Sequence, residues 1–380
     1  MSSNLIGFLE NKFKNIDPII GSIFDKCLDN KELSKNDGLE LLKVKGPELE
    51  ILFSIANYIR EKINGDKVTF VINRNINFTN ICKIKCKFCA FSRETPFELS
   101  INEIVKRAIE AKKNGCTEVC IQGGINPSFN PDIYETILKS IKMQVPDIHI
   151  HGFSPMEIYN CAKLNRLSIK ETLIRLKDAG LDSIPGTAAE ILDDDIRKII
   201  CPNKIDVKTW IDIIKTAHKL KIPTTSTMMY GHIDTIKHRM EHLEIIKNIQ
   251  KDTGGFTEFV PLSFIYLNTP LHMSNFTIKG ATGIEDLKIY AVSRLYFQNI
   301  IDNIQVSWVK LGPKFAQYAL NVGCNDFGGT LFDENISKSA GVSFGEYMPE
   351  TDFIHLIKDL GRTPAQRDTL YKIIKVYNKK

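Results

Sequence analysis

The 380-residue sequence has no apolar run approaching the roughly 18 residues that a membrane span takes, so a spanning helix is not expected. Its opening, MSSNLIGFLENKFKNIDP, lacks a basic segment followed by an apolar stretch and a small-residue cleavage site. No secretory signal is read there, and the cytoplasm is the expected location. No basic block is present either: 50 Lys and Arg stand against 45 Asp and Glu, spread along the chain, so nucleic acid is not an expected partner. Nor does a low-complexity stretch or linker mark off a second catalytic domain. The nine cysteines are an odd number, and six of them (Cys27, Cys116, Cys120, Cys161, Cys201, Cys324) are scattered through ordinary helix, strand and loop patterns. That excludes a disulfide framework and leaves those six as small, buried hydrophobes.

What is present is a soluble-protein composition, 43% hydrophobic and 25% charged, with a change of pattern near residue 66. Residues 1–66 read as a helical extension, with Gly46-Pro47 breaking one apolar-periodic run into two helices. Short apolar segments then alternate with amphipathic helices. Strands are expected at 68–73, 118–124, 148–153, 183–186, 224–231, 256–264, 304–310 and 326–331. Alternation with crossovers of this length means a parallel sheet. Eight repeats predict a (β/α)8 barrel of the TIM type over 67–335, with an incomplete six-unit barrel as the competitor. Residues 336–380 are expected to form a C-terminal helical cap, with GRTPAQRD opening its last helix.

In such a barrel the chemistry sits at the carboxyl ends of the strands. Directly after the first strand comes NFTNICKIKCKFCAFSR, with Cys82, Cys86 and Cys89 in a Cys-x3-Cys-x2-Cys spacing. No further Cys or His follows until Cys116, so a closed four-ligand zinc site would need a distant fourth ligand. A 4Fe-4S cluster normally takes four thiolates, and three leave one iron open to a small chelating molecule. Gly123-Gly124 follow Gln122 at the second strand end, where glycines let backbone approach a ligand or simply make a turn. His149, His151 and Ser154 stand at the third strand end, the two histidines on one face. Thr187 and Glu190 follow the fourth, and a first-turn carboxylate is favourable in any helix. Tyr230, His232, Glu258, Asn268 and Thr269 lie near the fifth and sixth, where capping a helix or facing solvent is the plainer role. Met228 and Met229 read as barrel filling.

The cysteine spacing, with Phe88 before the third thiol, resembles the signature of the radical S-adenosylmethionine (SAM) enzymes. The resemblance implies Cys82, Cys86 and Cys89 as cluster ligands, and SAM bound to the open iron through its amino and carboxylate groups. Phe88, Gln122, Gly123, Gly124, Ser154, Glu190 and Arg197 are then candidates to hold SAM, although Ile125 stands where many members carry a carboxylate. PGTAAEIL, IICPNK, PTTSTMMYGHIDT and GGFTEFVPLSF extend the resemblance over most of the chain. They are similar to the subfamily holding FO synthase subunit 2 and the menaquinone enzymes aminofutalosine synthase and dehypoxanthine futalosine cyclase, and stand nearest the first.

That likeness implies transfer of the 4-hydroxybenzyl group of L-tyrosine to 5-amino-6-(D-ribitylamino)uracil, in deazaflavin (coenzyme F-420) biosynthesis. Tyr230, His232 and Glu258 become the candidate catalytic residues, and Asn268 and Thr269 further substrate contacts. With one three-cysteine motif in the chain, a second FO synthase subunit is an expected partner, as is an electron donor such as ferredoxin or flavodoxin. The competing readings are a menaquinone-pathway enzyme acting on a purine nucleoside and a non-catalytic iron-sulfur electron carrier.

Overall fold

The computed structural model describes residues 16–378 except 275–277, 334, 342–343 and 345–346. Its first elements are the helices Pro18–Leu28, Lys35–Lys43 and Pro47–Asn64. The break expected at Gly46-Pro47 is there: Gly46 takes φ 58°, and Pro47 opens the third helix, where a missing N–H costs nothing. That helix buries Ile51, Leu52, Ile55 and Ile59, and it packs on the helix Gly283–Tyr296.

Strands follow at β1 (Lys67–Val71), β2 (Asn73–Asn77), β3 (Glu118–Gln122), β4 (His149–Gly152), β5 (Thr224–Tyr230), β6 (Phe256–Ser263), β7 (Asp326–Gly329), β8 (Thr363–Arg367) and β9 (Ile373–Val376). β1 and β2 are two halves of one rising segment that bends at Ile72. β2 pairs with β3 and β3 with β4, all parallel. Single parallel bridges, His151 to Ser183 and Ile184 to Thr224, carry the order on to β5, which pairs with β6. Phe259 bridges to Ile304 and Gln305 to Asp326, and β7 returns to β1. No one continuous sheet closes on itself; the ring is completed by these bridges at 183–184 and 304–305.

Four helices around the ring start with the same device. Ser100, Ser154, Ser168 and Thr282 each accept from the backbone of a Glu three residues on, whose carboxylate accepts from the capping residue's own N–H. β5 is buried along its whole length. The core is continuous from the N-terminal helices through the ring to Phe353 and Ile357 of the helix Glu350–Asp359.

Three expectations fail. The segment 183–186 is no strand but only the single bridges at Ser183 and Ile184, because Gly186 turns the chain away after two residues. The segment 304–310 is not one strand: Gln305 ends its pairing, and Trp308–Leu311 is a helical turn whose buried indole N–H donates to the Gly329 carbonyl at 2.9 Å. The tail is not purely helical either, because Thr363–Arg367 is a strand. It pairs in parallel with β1 from Lys67 to Val71 and antiparallel with β9. The physical reason is that the amino half of the first strand has β7 on one side, while β3 begins only opposite Asn73. β8 pairs the other side, whose backbone groups would otherwise be buried without partners.

Candidate active site

A cavity of about 260 Å³ opens at the carboxyl end of the ring. Cys82, Cys86 and Cys89 line it, together with Phe88, Gln122, Gly123, Gly124, Ser154, Thr187 and Glu190. The loop after β2 therefore delivers all three thiols to the mouth, together with six of the seven expected SAM contacts: Phe88, Gln122, Gly123, Gly124, Ser154 and Glu190. All three thiols are free, Cys86 buried and the other two half-buried. Burial pushes the Cys86 thiol above its ordinary range, while the Lys204 ammonium pulls the other way. Among the described residues no three His, Cys, Asp or Glu side chains gather around a single point as one metal ion needs; a cluster takes its thiolates on separate irons.

The glycines beside the thiols are sterically required. A β-carbon on Gly124 would stand 2.4 Å from the Ile81 carbonyl oxygen and 3.0 Å from Cys82 Cβ, and one on Gly123 would stand 2.7 Å from the Phe78 ring. The β3 end is thus drawn against the cysteine loop, and Gly124 N–H donates to the Thr79 carbonyl at 2.8 Å. This bare backbone shelf beside three thiols lining one cavity fits an iron-sulfur cluster with a small polar ligand.

Glu157 is the residue that sequence reasoning missed. It lines the cavity but is 1% exposed. It accepts from Gly123 N–H at 3.0 Å and from the Ser154 N–H and hydroxyl at 2.7 Å. Burial pushes its carboxyl up to about 7 in spite of those bonds. The signal was present, since Ser154-Pro-Met-Glu157 is a capping box placed at a strand's carboxyl end.

Lys204 is the second omission. Its ammonium pairs with Glu190, both side chains 13% exposed, and lies 5.1 Å above the Phe88 ring. Burial alone would lower the ammonium; Glu190, with Cys86 and Cys201, outweighs that and holds it above its ordinary value. Glu190 and Ala188 are non-glycine residues at φ 48° and 61°, a left-handed backbone that persists where its surroundings impose it. Arg197 supplies that constraint. It does not line the cavity but donates to the Ala188, Ala189 and Ile205 carbonyls, and so fixes the loop that presents Glu190.

The other candidates do not meet at the cavity. Tyr230 is buried behind its wall and donates to Asp286 at 2.7 Å. His232 turns back to the Met229 carbonyl at 3.1 Å. Asn268 donates to the Ser339 carbonyl at 3.1 Å, and the Thr269 hydroxyl to the Tyr266 carbonyl at 2.8 Å.

Glu258, His149 and His151 lie toward the opposite, amino end. Both histidines contact the Ser183 hydroxyl at 2.7 Å. Glu258 accepts from the Tyr371 hydroxyl and stands 3.5 Å from Arg367. The two histidines share a face, as their alternation implies, but His149 opens β4 and Glu258 is third of the eight residues of β6, so the chain rises away from both to the mouth, while His151 turns to Ser183 rather than to the cavity. Met228 and Met229 are buried as expected, with Met229 also lining the cavity.

Residues 76–246 match the model of the radical SAM superfamily, so the three-thiol cavity belongs to a radical SAM protein, a class that implies a 4Fe-4S cluster and SAM. Residues 253–380 match the CofH/MqnC C-terminal region. The 5-amino-6-(D-ribitylamino)uracil--L-tyrosine 4-hydroxyphenyl transferase of Methanothermobacter thermautotrophicus is 50% identical over 364 residues, 95% of this chain and 99% of its own. The protein of that name from Methanocaldococcus jannaschii is 55% identical over 351 residues, 90% of this chain and 98% of its own. This chain belongs to their family.

The fold is also that of methylornithine synthase, with a TM-score of 0.70 at 20% identity, covering 90% of this chain and 97% of that one. The FeFe-hydrogenase maturase HydG of Carboxydothermus hydrogenoformans gives a TM-score of 0.74 at 15% identity, covering 98% and 86%. Among the described residues no helix is long and apolar enough to cross a membrane.

Proposed function

We propose that this chain transfers the 4-hydroxybenzyl group of L-tyrosine to carbon 5 of 5-amino-6-(D-ribitylamino)uracil. The products are 5-amino-5-(4-hydroxybenzyl)-6-(D-ribitylimino)-5,6-dihydrouracil, 2-iminoacetate, methionine and 5'-deoxyadenosine. The observation that carries this reading is full-length likeness, at 50–55% identity, to the transferases named above. A second FO synthase subunit would consume the adduct, and a ferredoxin or flavodoxin would supply the electron.

Cys82, Cys86 and Cys89 would hold the cluster, which with SAM on its open iron supplies one-electron cleavage of the sulfonium to a 5'-deoxyadenosyl radical. The chain's own residues do the rest. Gly123 and Gly124 give polar ligand groups close access to backbone. Glu157, held rigid by Gly123 and Ser154, offers a buried acceptor to a hydroxyl or ammonium. Glu190 and Lys204 present paired charges whose partners a zwitterionic ligand can satisfy. Met229, Leu262, Phe264 and Ile265 form an apolar wall that keeps water from a benzyl-type fragment.

The test is anaerobic incubation of the reduced, cluster-loaded protein with SAM, ring-labelled tyrosine and the uracil. Mass spectrometry should show the label in a hydroxybenzyl adduct of the uracil. Turnover of a futalosine-type nucleoside with tyrosine untouched would move the chain to the menaquinone reading.

A further inference from the structure

The cysteine loop has an outer side as well. A second cavity of about 230 Å³ lies against it, and Asn80, Cys82 and Ser92 line both this groove and the active cavity. Cys82 is therefore reached from the substrate side and from outside the ring. The groove is also lined by Lys83 and Lys85, which are exposed, and exposed Arg93 follows Ser92 in sequence. No hydrogen bond or ion pair involves any of these three side chains among the described residues. Other exposed cations, Lys170 and Lys237 among them, likewise make no salt bridge among the described residues; what sets these three apart is their place on the cysteine loop beside Cys82. Glu94 is the counter-charge in the groove wall.

We propose that this outer groove docks a small acidic one-electron carrier protein and that Lys83, Lys85 and Arg93 steer it there. The inference rests on the radical SAM reading of the site. Cleavage of SAM draws one electron from the cluster, which an outside donor must first supply and which the product radical returns at the end of turnover, and the active cavity must stay closed to water while substrates fill it. An electron arriving on the outer side of Cys82 crosses to the cluster without passing through the substrate space. The reduced carrier loses one electron, the cluster gains it, and no bond or proton moves in that transfer. Unpaired cations around one thiol ligand attract an acidic partner and raise its rate of encounter, and salt screens them.

The test measures binding of a purified acidic ferredoxin to the cluster-loaded protein at low and high salt. Lys83→Glu with Lys85→Glu should weaken binding on the order of tenfold at low salt and flatten its salt dependence. Glu94→Lys should tighten it. Lys170→Glu with Lys237→Glu, the same change of charge at exposed sites on other helices, should leave it unchanged. Arg93→Glu, outside the cysteine run, should weaken binding even if the lysine pair proves needed for cluster loading. SAM cleavage driven by dithionite reads the cofactor chemistry separately and should be equal in wild type and Arg93→Glu. Affinity unaltered by the groove variants, or lost equally in the Lys170 and Lys237 control, would overturn the assignment while leaving the radical SAM reading intact.

Discussion

Cys86 is the buried member of the three thiols, and Cys116 is buried as well, yet their surroundings differ. Cys86 lines the cavity beside Lys204, whereas Cys116 lies on the loop before β3, away from it. Replacing Cys86 with Ala should abolish both the brown cluster absorbance and SAM cleavage, and Cys116→Ala should leave both largely intact. A retained 4Fe-4S spectrum in Cys86→Ala would refute the ligand set. Glu157 makes a different kind of prediction. Its carboxyl is held at about 7 in the fold against an ordinary 4.5, because burial disfavours the charge. A carboxyl raised in this way contributes stability that is complete below 4.5 and is lost as pH rises through about 7. Glutamine keeps an acceptor for Gly123 N–H but does not titrate. The cluster-free wild type should therefore lose stability relative to Glu157→Gln by on the order of 3 kcal/mol across that window, as read by urea unfolding. A difference that stays flat with pH would show that Glu157 is not the titrating group.

At the scale of elements, β8 has the most to explain. It sets Arg367 into the amino end of the ring, where the guanidinium donates to both Asp326 oxygens, at 2.5 and 2.9 Å. Thr69 donates to the same carboxylate at 2.5 Å. Arg367→Met removes one partner of a buried pair and strands the other, so it should cost about 3–5 kcal/mol, measurable by chemical unfolding. Asp326→Asn combined with Arg367→Met should recover part of that loss, an outcome that a purely steric role for Arg367 would not give. None of this was legible in Thr363-Pro-Ala-Gln-Arg367, which has no apolar alternation. Its strand identity comes from pairing with a segment almost 300 residues away (on the order of the whole chain). The helices were legible from their apolar period; their capping boxes, a local signal four residues long, went unread, and the capping expected at GRTPAQRD proved a strand. Arg197 and Lys204 were harder: what they touch is decided by how the 187–205 loops fold over each other. Alternation told that His149 and His151 share a face, but neither it nor the strand pattern told how far from the mouth they and Glu258 stand.

Across the whole molecule the two ends of the ring are chemically unlike. The amino end is filled by charged and polar side chains that satisfy one another, Glu118 with Asn73, Asp326 with Arg367 and Glu258 with Tyr371. The carboxyl end keeps an open cavity with three thiols on one side and an apolar wall that includes Met229, Leu262 and Phe264. Under the proposed function polar substrates would enter from this end, and the radical fragment would form beside the apolar wall. Under the proposed function, tyrosine and the uracil share this cavity, and the uracil is the acceptor that removes the hydroxybenzyl fragment. Without it the fragment has no productive exit and recombines or is quenched slowly. Tyrosine consumption by the reduced, SAM-loaded enzyme should accordingly be slow until the uracil is added and should then rise with uracil concentration to saturation. Tyrosine loss at the full rate in the absence of uracil would mean that the chain cleaves tyrosine as a lyase, and that transfer to the uracil happens outside the cavity.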